Sequence, residues 1–166
     1  SGSPLLNLQG EVVGLVADVI GGPAGIGGIG VAVPGDLVAQ SIADLERFGV
    51  PQRGWLGASL ISLDELPPVL LRAVGLTSTQ GAMVDRVEPG SPAARAGLKG
   101  AQRDTQGRLL ALGDVILAVD GVAVKDKADV VRLVAQRRPG DRVRLTLWRD
   151  RRRLEVTVVL MARPRE

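Results

Sequence analysis

The stretch GAMVDRVEPGSPAARAGL, residues 81–98, decides the fold. In its first half Ala82, Met83, Val84 and Val87 form a short apolar run that Pro89 and Gly90 stop, which predicts a strand ending in a turn. In its second half Ser91 can cap a helix and Pro92 suits the first helical position, which predicts one to two helical turns. A strand, a tight turn and a very short helix within eighteen residues belong to a compact β-rich domain, not to a bundle.

The flanks agree. Downstream, KGAQRDTQGRLLAL at 99–112 is polar and punctuated by glycine, and is expected to be a loop. GDVILAVDG at 113–121 reads as a strand running into a turn, and DKADVVRLVAQRR as a helix capped by Asp126 and ended before Pro139-Gly140. RVRLTLW and RLEVTVVL then alternate Val143, Leu145, Leu147 and Leu154, Val156, Val158, Leu160 with polar residues, as a hairpin with one buried face does. Upstream, WLGASLI is a strand candidate, and SLDELPPVLLRAVGL is a short helical or turn segment interrupted by Pro67 and Pro68.

Before the linker VPQRG at 50–54 the chain changes character. LLN and EVVGLVADVI, separated by Leu8-Gln9-Gly10, predict a hairpin. GGPAGIGG is a loop, and IGVAVP a strand stopped by Pro34. Asp36 can cap a helix over LVAQSIADLERFG, with Leu37, Ile42 and Leu45 on one apolar side and Gly49 at its end. Residues 1–52 carry one Arg against five acids, whereas residues 53–166 carry twenty basic residues against thirteen acids. The two parts read as separate bodies.

Composition narrows the chemistry. The 166 residues contain no Cys and no His, so the commonest general base, the commonest metal ligand and all thiolate chemistry are lacking. Neither a metal site nor a cofactor is expected. Aromatic residues are limited to Phe48, Trp55 and Trp148, so the core is aliphatic. No apolar run approaches a membrane span. GIGGIG at 25–30 satisfies a phosphate-cradling pattern, but a strand and Pro34 follow where a helix is required, so no dinucleotide site is expected. RDRRR at 149–153 has only Trp148 beside it for stacking, and reads as a solvated turn; nucleic acid is not an expected partner. Asp64-Glu65 reads as a solvated or capping pair, not as an acid/base dyad.

RGWLGA at 53–58 is more specific. A glycine between apolar residues at a strand entrance can leave successive backbone N–H groups facing a loop, and such a nest holds a carboxylate. If the strand from Ala58 is a sheet edge facing the 128–136 helix, an extended peptide can add to it. The same residues also read as Trp55 and Leu56 simply opening a core strand.

RGWLGASL, GLTSTQGAMVDRVEPGSPAARAGLKG, GDVILAVDGVAV and the closing helix and hairpin together resemble the PDZ domain of the HtrA/Deg serine proteases, in the order that family uses. SGSPLLNLQGEVVG followed by GIGVAVPGDLV is similar to the end of the protease domain of the same family. The resemblance implies a mainly β fold with short helices, in which a trypsin-like β-barrel remnant at 1–52 precedes a PDZ domain at 53–163. It aligns Ser1 with the nucleophile and places Ser3 where the family has a glycine. Ile29, Gly30 and Val31 fall where the family lines the pocket for the residue before the scissile bond.

The implied chemistry is acyl transfer by a serine activated through His and Asp, which precede the serine in that fold. Without them the chain alone is expected to be inactive. The groove residues implied are Leu56, Gly57 and Ala58 for the peptide carboxylate, with Arg53 adding charge and Trp55 in the same loop. Ala58 and Leu60 flank the peptide, and Val131 and Val134 stand on the helix; Val130 and Leu133 exchange roles with these if the helix is rotated. Unfolded or C-terminal peptides are the implied partners, a trimer is the family's assembly, and the compartment is periplasmic or otherwise extracytoplasmic. Two alternatives stay open: a non-catalytic, chaperone-like peptide binder with a degenerate protease domain, for which Ser3 is the hint, and a basic nucleic-acid-binding module.

Overall fold

A computed structural model of the chain describes residues 2–21 and 28–164. Ser1, the nucleophile position implied above, lies outside the described residues, as does the first half of the GIGGIG stretch. Two compact units divide between Gln52 and Arg53.

The first unit is an antiparallel meander of β1 (Pro4–Leu6), β2 (Val12–Ile20) and β3 (Ile29–Pro34), followed by helix α1 (Gly35–Phe48). Asn7 builds the predicted β1–β2 turn: its side-chain oxygen accepts the N–H groups of Gln9 and Glu11, and Gly10 takes a left-handed φ of 79°. The start of α1 differs from expectation. The helix begins at Gly35, directly after Pro34, so Asp36 lies inside the first turn and not at the cap. There its charge still complements the helix dipole. Gly49 ends the helix as expected, in a left-handed conformation with its N–H on the Leu45 carbonyl. The sheet is open, with no closed barrel among the described residues.

The second unit is built on a sheet ordered β12-β11-β9-β6-β5, with β10 beside β9. Its strands are β5 (Ala58–Ser62), β6 (Ala82–Val87), β9 (Val115–Val119), β10 (Val122–Ala123), β11 (Arg142–Arg149) and β12 (Arg152–Val159). A short ladder pairs β4 (Gly54–Trp55) with β13 (Met161–Ala162), and a small hairpin pairs β7 (Gln102–Arg103) with β8 (Leu109–Ala111). That hairpin lies where the sequence predicts only loop. Asp104 shapes it by accepting the N–H groups of Gln106 and Arg108, and Arg103 fastens it to the Asp85 carboxylate on β6.

Helices α2 (Pro68–Ala73), α3 (Pro92–Arg95) and α4 (Lys127–Ala135) complete the unit. Ser91 caps α3 by accepting the Ala94 N–H, and Asp126 caps α4 by accepting the Asp129 N–H. The β11–β12 alternation holds: Val143, Leu145, Leu147, Val158 and Leu160 are buried in one core with Ala82, Val84, Ile116 and Val119. Val130 and Val134, one helical turn apart, anchor α4 on that core. A second cluster of Leu63, Leu71, Leu76, Met83 and Val115 packs with Trp148, whose indole N–H donates to the Val74 carbonyl.

Candidate functional site

The loop between β4 and β5 is pinned by main-chain bonds on its carbonyl side. Ala93 N–H donates to the Leu56 carbonyl and Glu88 N–H to the Gly57 carbonyl, both at 2.9 Å. The donors flank the Pro89-Gly90 turn and the start of α3, so the 81–98 stretch is the support of this loop. Gly57 takes φ 75°, and a Cβ there would collide with the Ser91 side chain and the Trp55 ring. Only glycine fits that close approach. Gly54 is equally confined, facing the main-chain oxygens of Val134 and Arg137.

With the carbonyls spent, the N–H groups of Leu56 and Gly57 donate to nothing among the described residues, although both residues are buried. Each main-chain N–H is a strong donor, so two adjacent ones without a protein partner offer a place for an acceptor. The Ala58 N–H joins them by strand alternation. Glu88 N–H reaching Gly57 on one side of Ala58, and Leu63 N–H reaching Gly81 beyond Ser62, fix the phase of the β5–β6 ladder. In that phase the main-chain groups of Ala58 and Leu60 point away from β6. Among the described residues no strand pairs on that side: β5 is the edge of its sheet, and α4 packs beside it.

The expected residues are placed as follows. Leu56 is buried in the core beneath the loop, and Ala58 and Leu60 are half-buried on the edge strand. Trp55 pairs with Met161 through the β4–β13 ladder. Arg53 is exposed just before the loop and makes no ion pair among the described residues. On α4, Val134 is buried whereas Val131 is 60% exposed; Leu133 is partly buried against the core. Ile29, Gly30 and Val31 lie together on β3 in the first unit, with Ile29 and Val31 exposed. Among the described residues no group of acids and histidines is arranged to hold a metal ion. Among the described residues no helix is long and apolar enough to cross a membrane.

Sequence reading missed the polar end of β5. Lys127, the first residue of α4, donates its N–H to Ser62 Oγ at 3.1 Å and its ammonium to Glu65 Oε1 at 2.7 Å. Ser62 N–H donates to the same Glu65 oxygen at 3.3 Å. The Lys127 bond, helped by the Ser62 N–H, holds the Glu65 carboxyl below the usual glutamate range. Glu65 is thus a capping residue, as the Asp64-Glu65 reading allowed: with Ser62 it forms a local S-x-x-E capping box, whereas its ion-pair partner Lys127 lies more than sixty positions away, beyond any local pattern.

A separate cleft of about 590 Å³ lies between the end of α2, the residue 99–114 segment and the β11–β12 turn. Three of its charged side chains, Asp114, Arg149 and Arg151, are already engaged. Arg149 grips the buried Asp114 with two bonds of 2.6 Å and also reaches the Gly97 carbonyl, and Arg151 donates to the Ala73 carbonyl. Asp114 additionally accepts the Lys99 N–H. This arrangement is structural, and it occupies two arginines of the basic turn.

Comparison with known proteins identifies what the chain is similar to. Residues 54–160 match the family model described as PDZ domain. The whole chain is 32% identical to a probable periplasmic serine endoprotease, DegP-like, of Brucella suis biovar 1, covering 29% of it. A protein of the same description from Rhizobium meliloti is 35% identical over 90% of the chain, and 27% of that relative is covered. The chain thus spans less than a third of the length of these curated relatives. Among solved structures, the HtrA-type protease AlgW with decapeptide superposes with a TM-score of 0.68 at 30% identity, covering all of this chain and 46% of the other.

Proposed function

The chain belongs to the PDZ domain family and is homologous to DegP-like HtrA serine endoproteases, and from that premise we propose that its second unit binds the carboxyl-terminal ends of polypeptides. The observation that carries this reading is the pair of N–H donors at Leu56 and Gly57, without a partner among the described residues, beside the open edge of β5. A terminal carboxylate satisfies those donors together with Ala58 N–H, and the preceding residues add as a strand along Ala58 and Leu60. Arg53 contributes positive charge at the mouth, Val134 the floor of the side-chain pocket, and Val131 its helix wall.

In the proposed whole protein, residues 1–52 belong to a trypsin-like protease domain, Ser1 is the nucleophile, and Ile29, Gly30 and Val31 line the pocket before the scissile bond. Protein quality control in a periplasmic or other extracytoplasmic space, in a trimeric assembly, is the corresponding setting. The 166 residues contain no histidine, so they cannot form the Ser-His-Asp relay by themselves. A nucleic-acid role is disfavoured by the basic turn, where Arg149 and Arg151 are engaged within the unit.

The test is a fluorescence anisotropy titration of the chain with a labelled peptide ending in valine, as free acid and as amide. Charge-assisted bonds to a carboxylate are worth about 1.5–3 kcal/mol each, so amidation is expected to weaken binding at least tenfold. Equal binding by the two forms would refute the carboxylate site.

A further inference from the structure

The cluster at the far end of β5 limits how much of a peptide the edge strand can pair with. In an antiparallel addition, a peptide whose carboxylate sits at Leu56–Ala58 sets its last residue opposite Ala58, its third-from-last opposite Leu60 and its fifth-from-last opposite Ser62. The first two find main-chain groups facing outward. The carbonyl of the fifth would need the Ser62 N–H, and that N–H is already bonded to Glu65 Oε1 at 3.3 Å. Glu65 is itself held by Lys127 at 2.7 Å, and Lys127 N–H is bonded to Ser62 Oγ, so strand end, turn and helix start are tied at one point. Opposed residues share a face of the sheet. The fifth peptide residue therefore meets the Ser62–Lys127 side directly.

We propose that Glu65 acts as a stop for the added strand, so that this groove recognises only about the last three or four residues of a polypeptide through its main chain. The proposal rests on the carboxyl-terminal reading above and adds a length limit to it. The stop acts by occupying one N–H, not by charge. Glutamine at position 65 can still accept from Ser62 and preserves the stop, whereas alanine cannot accept and releases it. Removing the Lys127 ammonium leaves Glu65 on Ser62, so the stop also survives in Lys127→Ala.

The experiment compares two N-acetylated peptides with the same last three residues, ending in valine, one a tripeptide and one a heptapeptide extended with alanine. Their dissociation constants for the full chain are measured by calorimetry, and the heptapeptide-to-tripeptide affinity ratio is the readout. The wild-type ratio is expected to stay within about twofold. One recovered hydrogen bond is worth about 0.5–1.5 kcal/mol, so in Glu65→Ala the heptapeptide is expected to gain about two- to tenfold over the wild-type ratio. Glu65→Gln and Lys127→Ala are expected to keep the wild-type ratio. A wild-type ratio of tenfold or more, or no gain in Glu65→Ala, overturns the stop while leaving the carboxylate site intact. Failure of both peptides to bind overturns the two readings together.

Discussion

A methyl group at position 57 has no room. Gly57 combines a left-handed φ of 75° with contact against Ser91 and Trp55, so Gly57→Ala adds about 1 kcal/mol of backbone strain to about 1–3 kcal/mol of overpacking. A loss of about 2–4 kcal/mol in urea unfolding of the second unit is expected, and a neutral result would show the loop to be looser than described. Glu65 makes a second prediction at this scale. Its pKa is lowered in the folded chain, first by the Lys127 bond and then by Ser62 N–H. A lowered carboxylate pKa gives stability that is present above the unfolded value and lost as pH falls through the folded one. The tie therefore persists through neutral and mildly acidic pH and opens only below the ordinary glutamate range. Carboxyl-detected NMR titration should find Glu65 low, and Lys127→Ala should return it toward the ordinary value; an unchanged midpoint would contradict the bond.

Among the elements, those whose signals are local were legible. Ser91-Pro92 announces α3, Asp126 announces α4, and strict alternation announces the β11–β12 pair, because caps and period-two patterns are decided within a few residues. The β7–β8 hairpin was not legible: its strands are two and three residues long, and it is held by Arg103 reaching Asp85 eighteen positions back. Asp114 shows the same limit. It reads in sequence as the start of a strand, yet its carboxylate is buried and clamped by Arg149 from β11. Removing one partner of a buried ion pair costs about 3–5 kcal/mol because the other charge stays uncompensated. Arg149→Ala is accordingly expected to destabilise the unit by about 3 kcal/mol in chemical denaturation. A change below about 0.5 kcal/mol would place the pair among ordinary surface bridges.

Over the whole molecule, the two units differ in how complete they are. Every large buried hydrophobic residue among those described belongs to the second unit, whereas in the first Leu37, Ile42 and Leu45, the apolar side the sequence assigns to α1, are 40–50% exposed. The second unit has a core of its own, and its site follows from that core: α3 braces the loop, β6 phases β5, and α4 walls the edge. The sequence points to the loop because the glycine and the strand entrance are adjacent. It does not choose Val131 and Val134 over Val130 and Leu133, since the rotation of α4 is set by where Val130 and Val134 find the core. In the proposed complex the N–H groups of Leu56, Gly57 and Ala58 hold a peptide carboxylate. The most direct measurement is an amide-resolved 1H-15N NMR titration of the chain with a valine-ended peptide, run as free acid and as amide. Large downfield shifts are expected at Leu56, Gly57 and Ala58 with the acid, and these are lost with the amide. Shifts that are the same for both forms, or that gather instead around Arg149–Arg153, would contradict that expectation.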